Sequence, residues 1–266
     1  MQALHAVSGK TARRTVNASR FQIKLADPNI MHIKYEPVRE HVYDFWLARG
    51  AILVTAGLNA FLINQLAIIP SWLSSSIELA LLIPLSVATA WTQSRVRDAR
   101  TTQHWAVIHH HRRLIRVAAM TLTAIITVIN FEALYAVLHA LLYGAKGATG
   151  QSLLLDALNI WFTNVVVFAL WFWNLDGGGP ALRHFRNSNR RVDFQFPQTG
   201  SNIPGYEEWT PGFIDYFFIS FTNATAFSPT DTMPLTALSK LLFAIEAIAS
   251  LLTVGLVAAR AVNILA

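Results

Sequence analysis

Five long apolar runs divide the chain: Ala51–Pro70, Ser74–Trp91, Val117–Tyr143, Leu153–Trp173 and Leu235–Ala259. Each approaches or exceeds the ~20 residues that a helix needs to cross a ~30 Å hydrocarbon core. Lipid offers a peptide group no hydrogen bonds, so helices, which satisfy their own backbone, are the expected form. The pattern predicts an all-α, polytopic transmembrane protein with five clear spans. The first four lie near residues 47–69, 74–92, 117–143 and 153–173, and the last begins near 235.

A sixth element is shorter. Pro211–Ser228 (PGFIDYFFISFTNATAFS) is aromatic at first and then turns polar. As a helix it reaches only ~27 Å, barely a span. It either crosses thinly or enters and returns as a re-entrant, pore-like helix. Crossing brings Arg260 back to the cytoplasmic side, which the distribution of charge favours. The organisation that follows is a basic tail (1–46), a four-helix membrane region (47–175), a Gly/Pro-rich connector (176–210) and a C-terminal unit (211–266).

Composition supports the membrane assignment. Apolar residues make up 53% and charged residues 14% of the chain, against about a quarter charged in ordinary soluble domains. There is no cysteine, which excludes disulfides, thiolate metal sites and cysteine nucleophiles. The stretch 1–30 has no apolar core of a signal peptide. Its basic residues suggest either a tail lying near anionic lipid or an organelle transit peptide, and composition favours the tail.

Lys and Arg number seven in the tail, six in 93–116 and four in 181–191, but none in 70–73 and one in 144–151. That alternation predicts a cytoplasmic N-terminus, with both basic segments on the same side, in a multi-pass protein of the inner or plasma membrane. Arg95, Arg97, Arg100, Arg112 and Arg113 are the candidates for contact with anionic headgroups or a partner. The net charge of +6 is accounted for by orientation, and no nucleic-acid motif accompanies it.

Polar groups inside apolar helices are costly and mark candidate sites. Glu132, His139, Asp156 and Glu246 are the transport-path candidates. Glu132 and His139 share a face two turns apart, as do Asp156, Asn159 and Thr163. The alternative for each is a neutral, hydrogen-bonded group that fixes helix packing, which is the preferred reading for Asn59, Asn64 and Gln65. Thr222, Asn223, Thr225, Ser228 and Asp231 are the constriction candidates. His109-His110-His111 does not make a metal site, because adjacent helical residues point ~100° apart. No catalytic constellation, phosphate loop or cofactor motif occurs.

The stretch FISFTNATAFSPTDTMPLTALSKLLFAIEAIASLLTVGLVAAR resembles the pore helix, filter and inner helix of tetrameric pore-loop cation channels. Phe221-Thr222 match the end of the pore helix, Pro234-Leu235 the start of the inner helix, and Glu246-Ala247 its middle. Potassium channels place glycines in the filter so that successive carbonyls face the ion. Here Asn223-Ala224-Thr225-Ala226-Phe227-Ser228-Pro229 stands instead, so potassium selectivity by that device is not expected. WFWNLDGGGP, DFQFPQ and FTNATAFSPTDTMPLT together resemble a family of bacterial integral membrane proteins of unassigned function, which implies the bacterial inner membrane but no activity. Channel-like or transporter-like passage of a small cation or protons, in a homo-oligomer, is the first expectation. The alternative is a non-transporting scaffold or partner subunit that binds a protein through its cytoplasmic segments. A membrane enzyme comes third.

Overall fold

Long apolar stretches free of Pro become long helices. In the computed structural model the described residues are 42–61, 75–76, 79–80, 102–144, 149–179, 192–199, 204–206, 209–228 and 231–265. All of them belong to one unit, Glu40–Ala266. They form helices α1 (Val42–Phe61), α2 (Thr102–Tyr143), α3 (Gly150–Leu175), α4 (Phe213–Ala226) and α5 (Ala237–Leu265), with the short strands β1 (Phe194–Gln195) and β2 (Met233–Pro234). Three segments are long and apolar enough to cross a membrane: Leu114–Tyr143, Gln151–Leu175 and Ala237–Ala258.

Five spans therefore reduce to three among the described residues. The first expected span is described as far as Phe61, and the second only at 75–76 and 79–80. Residues 1–41 of the tail and residues 181–191 lie outside the described residues, and 42–46 are already helical in α1. The stretch 93–116, expected as a basic loop, is helical from Thr102, so α2 runs 42 residues, ~63 Å at 1.5 Å per residue. The reason is local: 102–143 contains neither Gly nor Pro, so nothing ends the helix where the arginines begin.

α3 is the central helix, with α1, α2, α4 and α5 all packed on it. Its start is fixed by a capping box in which Thr149 Oγ1 accepts from the Ser152 amide and Ser152 Oγ accepts from the Thr149 amide, satisfying amides that the first turn leaves orphaned. α2 and α3 are antiparallel: Trp171 Nε1 donates to Thr127 Oγ1 at 2.9 Å, and Val137 and Ile160 share a cluster further along. α1 is antiparallel to α3 as well, since Phe45 meets Trp173 and Asn59 meets Asn159.

Polarity is inverted relative to a soluble bundle. Asn164, Ser220, Asn223, Glu246 and Ser250 are buried, whereas Leu142, Phe218, Leu241, Ile248 and Leu251 are exposed. An apolar exterior over a polar interior is the arrangement a bilayer favours.

Candidate polar core

The motif WNLDGGGP ends α3, and its residues tie three elements together at one end of the bundle. Asp176 accepts from the Tyr216 hydroxyl at 2.6 Å and from the Asp193 amide at 2.8 Å. Asp193 in turn accepts from the Gly177 amide at 3.3 Å and from the Thr236 hydroxyl at 2.8 Å. The Leu235 amide donates to the Asp193 carbonyl at 2.9 Å, and β1 pairs antiparallel with β2. Gly179, at φ +79°, has room for no side chain: a Cβ would lie 2.7 Å from the Asn174 carbonyl oxygen. Beneath this clasp, Phe194 packs against Phe172, Tyr216 and Phe243, and Phe196 packs against Trp209 and Tyr216. The connector expected over 176–210 is thus folded back onto the helix ends at 193–196.

The clasp fixes the course of α4. The Gly212 amide donates to Asp215 at 2.7 Å, and a Cβ at Gly212 would lie 2.8 Å from Asp44 Oδ1. Two carboxylates thus sit at the electropositive start of the helix. α4 then descends antiparallel to α3. Phe213 meets Trp173, Ser220 meets Val165, and the Ala224 carbonyl lies 3.5 Å from Trp161 Nε1. Trp161 is fourteen residues from Leu175, so α4 reaches ~21 Å along α3. Thr236 is nevertheless bonded to Asp193, back at the clasp. The ten residues from Phe227 to Thr236 can span up to ~33–36 Å, enough for the return. α4 and α5 therefore begin at the same end of the bundle, with Phe227–Thr236 as the return between them. The physical reason is the pair of carboxylates, Asp176 and Asp193, which bind both ends of the α4 segment to one place.

At the level of Ser220 the three helices α3, α4 and α5 enclose a buried polar core around Glu246. Ser220 Oγ lies 2.7 Å from the Val165 carbonyl and bonds Glu246 Oε1. Asn223 Nδ2 donates to Glu246 Oε2 at 2.7 Å and to the Phe243 carbonyl at 3.0 Å. Asn164 Nδ2 donates to Ser250 Oγ at 2.9 Å. Glu246 has no exposed surface. Ser220 has one hydroxyl hydrogen and two oxygens in reach, so the set is complete when a proton on Glu246 faces Ser220.

No family model, curated protein or solved structure matches this chain. Its chemistry rests on these residues alone.

The expected site residues fall in different places. Glu246 and Asn223 come together. Thr222 and Thr225 turn their hydroxyls to their own helix, on Phe218 and Ile219 and on Phe221 and Thr222. Thr225, Ser228 and Asp231 are exposed. His139 is also exposed, between Tyr135 and Tyr143 at ring distances of 6.0 and 4.7 Å, and Glu132 is half-buried on the same helix. Asp156 is buried near the start of α3, away from Glu246. Arg112 and Arg113 lie on α2, with side chains outside the described residues, and Arg95, Arg97 and Arg100 are outside them altogether. Sequence reasoning missed Asn164, Ser220 and Ser250. The signal was there: Ser239, Glu246, Ser250 and Thr253 repeat at helical spacing, placing small polar residues on the face of the acid.

Proposed function

We propose that the chain is a multi-pass protein of the bacterial inner membrane that passes a small cation or protons, with the end of α4 as its constriction. The observation that carries this reading is the course of α4, which starts at the clasp and stops beside Trp161, within the apolar length of α3. Non-helical backbone at membrane depth is tolerated only where protein buries it or water lines it. Thr225, Ala226, Phe227 and Ser228 are exposed at that point, which supports a wet vestibule there, walled by further copies of the chain. The electronegative end of a helix directed into it favours a cation. Glu246, sealed on every side, serves to hold α4 in place.

The N-terminal ends of α1 and α2 and the C-terminal end of α3 share the clasp end, and all three adjoin the basic stretches of the sequence. That convergence supports a cytoplasmic clasp and N-terminus, with Arg95, Arg97, Arg100, Arg112 and Arg113 at anionic headgroups. Reconstitution in liposomes tests the reading. The protein is expected to dissipate an imposed gradient of K⁺, Na⁺ or H⁺, and Asp231→Asn and Thr225→Val are expected to change the rate or the ion preference severalfold. Absence of flux under all three gradients overturns it and leaves the scaffold role.

A further inference from the structure

Among the described residues, Phe227 is the one residue other than glycine whose backbone lies in the left-handed region, at φ +54° and ψ +25°. A Cβ crowds the following carbonyl there, so helices that end in this conformation ordinarily use Gly or Asn. A bulky aromatic residue is an outlier. The sequence accounts for where α4 stops, because Pro229 disfavours helical backbone at Ser228. It does not account for the residue chosen, since glycine at 227 would make the same ending without strain.

The turn carries the ring off the packed face of its helix. Ser220, Asn223 and residue 227 follow at i, i+3 and i+7, so a helical Phe227 would lie on the stripe that holds Glu246. In the left-handed conformation it is instead 43% exposed. Phe217 and Phe221, further up α4, each meet another ring. No ring contact among the described residues offsets the strain at Phe227. Strain of this kind persists where the surrounding structure imposes it, and it clusters at ligand clamps and switch regions.

The position is as particular as the conformation. Phe227 sits at the tip of α4 beside the exposed residues Thr225, Ala226 and Ser228. That tip stops alongside Trp161, within the apolar length Gln151–Leu175 of α3. Large apolar side chains that narrow a pore exclude water from it, and a dewetted stretch stops ions. We infer that Phe227 is an apolar gate at the constriction: rings from neighbouring copies of the chain close the path that Thr225 and Ser228 line. The inference rests on the reading of the α4 tip as a constriction, and it adds the device that shuts it.

Phe227→Gly and Phe227→Ala both remove the ring, but only glycine also removes the strain, so the pair separates the two. The full-length proteins are reconstituted in liposomes under an imposed K⁺, Na⁺ or H⁺ gradient. Both variants are expected to conduct severalfold faster than the parent, and Phe227→Leu, which stays apolar, to remain closer to the parent than either. In detergent, Phe227→Gly is expected to unfold at a higher Tm than Phe227→Ala; a Tm no higher removes the strain and overturns the inference. Parent flux that is unchanged in both variants overturns the gate and leaves the constriction standing. Flux that rises in Phe227→Gly alone follows the strain rather than the ring, and overturns the gate as well. So does a smaller oligomer of Phe227→Ala on gel filtration, which would make the ring an intersubunit contact. No flux in the parent or in any variant overturns the constriction, and the gate with it.

Discussion

One helix carries two polar faces that the helices opposite answer differently. Toward α4 and α5, α3 presents Asn164, and the helices opposite answer with Ser220, Asn223, Glu246 and Ser250, so that both carboxylate oxygens of Glu246 are bonded. Toward α1, α3 presents Asp156, Asn159 and Thr163, and the facing helix answers with Asn59 on Asn159, beside Ala48, Ile52 and Ala56 and with Thr55 turned to its own backbone. The residue types on α3 are similar on both sides. What differs is the acid: Glu246 is held by Ser220 and Asn223, which fixes the position of α4, whereas the polar stripe toward α1 ties no such carboxylate. Asn159 Oδ1 and Thr163 Oγ1 are buried there without a hydrogen-bond partner, as Asn164 Oδ1 is on the other face.

The contrast is broken outright if α4 is not anchored as an in-and-out segment. Gln195 precedes α4 and Met233 follows it, and the two are exposed partners in the β1–β2 pair. In this cysteine-free chain, Gln195→Cys and Met233→Cys are expected to react with an impermeant maleimide from the same side of the membrane. Labelling from opposite sides would make α4 a crossing helix and would remove the constriction.

The next largest effect is expected at the anchor. Glu246→Ala removes a buried side chain and strips Ser220 and Asn223 of an acceptor, at a cost of about 3 kcal/mol. Glu246→Gln keeps the shape: its carbonyl accepts from Asn223 and its amide donates to Ser220, which then donates to Val165. It is expected to stay within about 1 kcal/mol of the parent. Equilibrium unfolding in mixed micelles measures both. Equal losses in the two variants would mean that the charge of Glu246, and not its hydrogen bonds, holds α4.

The membrane character was legible because it depends on residue sums: apolar runs of membrane length at 117–143, 153–173 and 235–259 reappear as α2, α3 and α5. The shared face of Asp156, Asn159 and Thr163 was legible too, since helical periodicity alone sets it. The course of α4 was not. It depends on Asp176 bonding Tyr216 and Asp193, forty and seventeen residues away in sequence, and no periodicity reports such pairings. The extension of α2 back to Thr102 was missed for a different reason. The arginines there signal a membrane boundary, but a boundary for the bilayer is not a boundary for the helix. Glu246 and Asn223 were singled out separately, as path and constriction. Their contact arises only because α4 descends beside α5.

The smallest expected effect is the most discriminating, because its sign differs between the two faces. Removing a buried hydroxyl normally destabilises a core, as it breaks a made bond. Ser220→Ala should follow that rule, by about 1 kcal/mol, since Val165 and Glu246 both lose a partner. Thr163→Val removes a hydroxyl that bonds nothing, at nearly constant volume. It is expected to leave stability unchanged or raise it by about 0.5–1 kcal/mol, because a buried orphan is replaced by apolar surface. A loss of stability in Thr163→Val would show that its hydroxyl is already satisfied, and the two faces of α3 would then be alike.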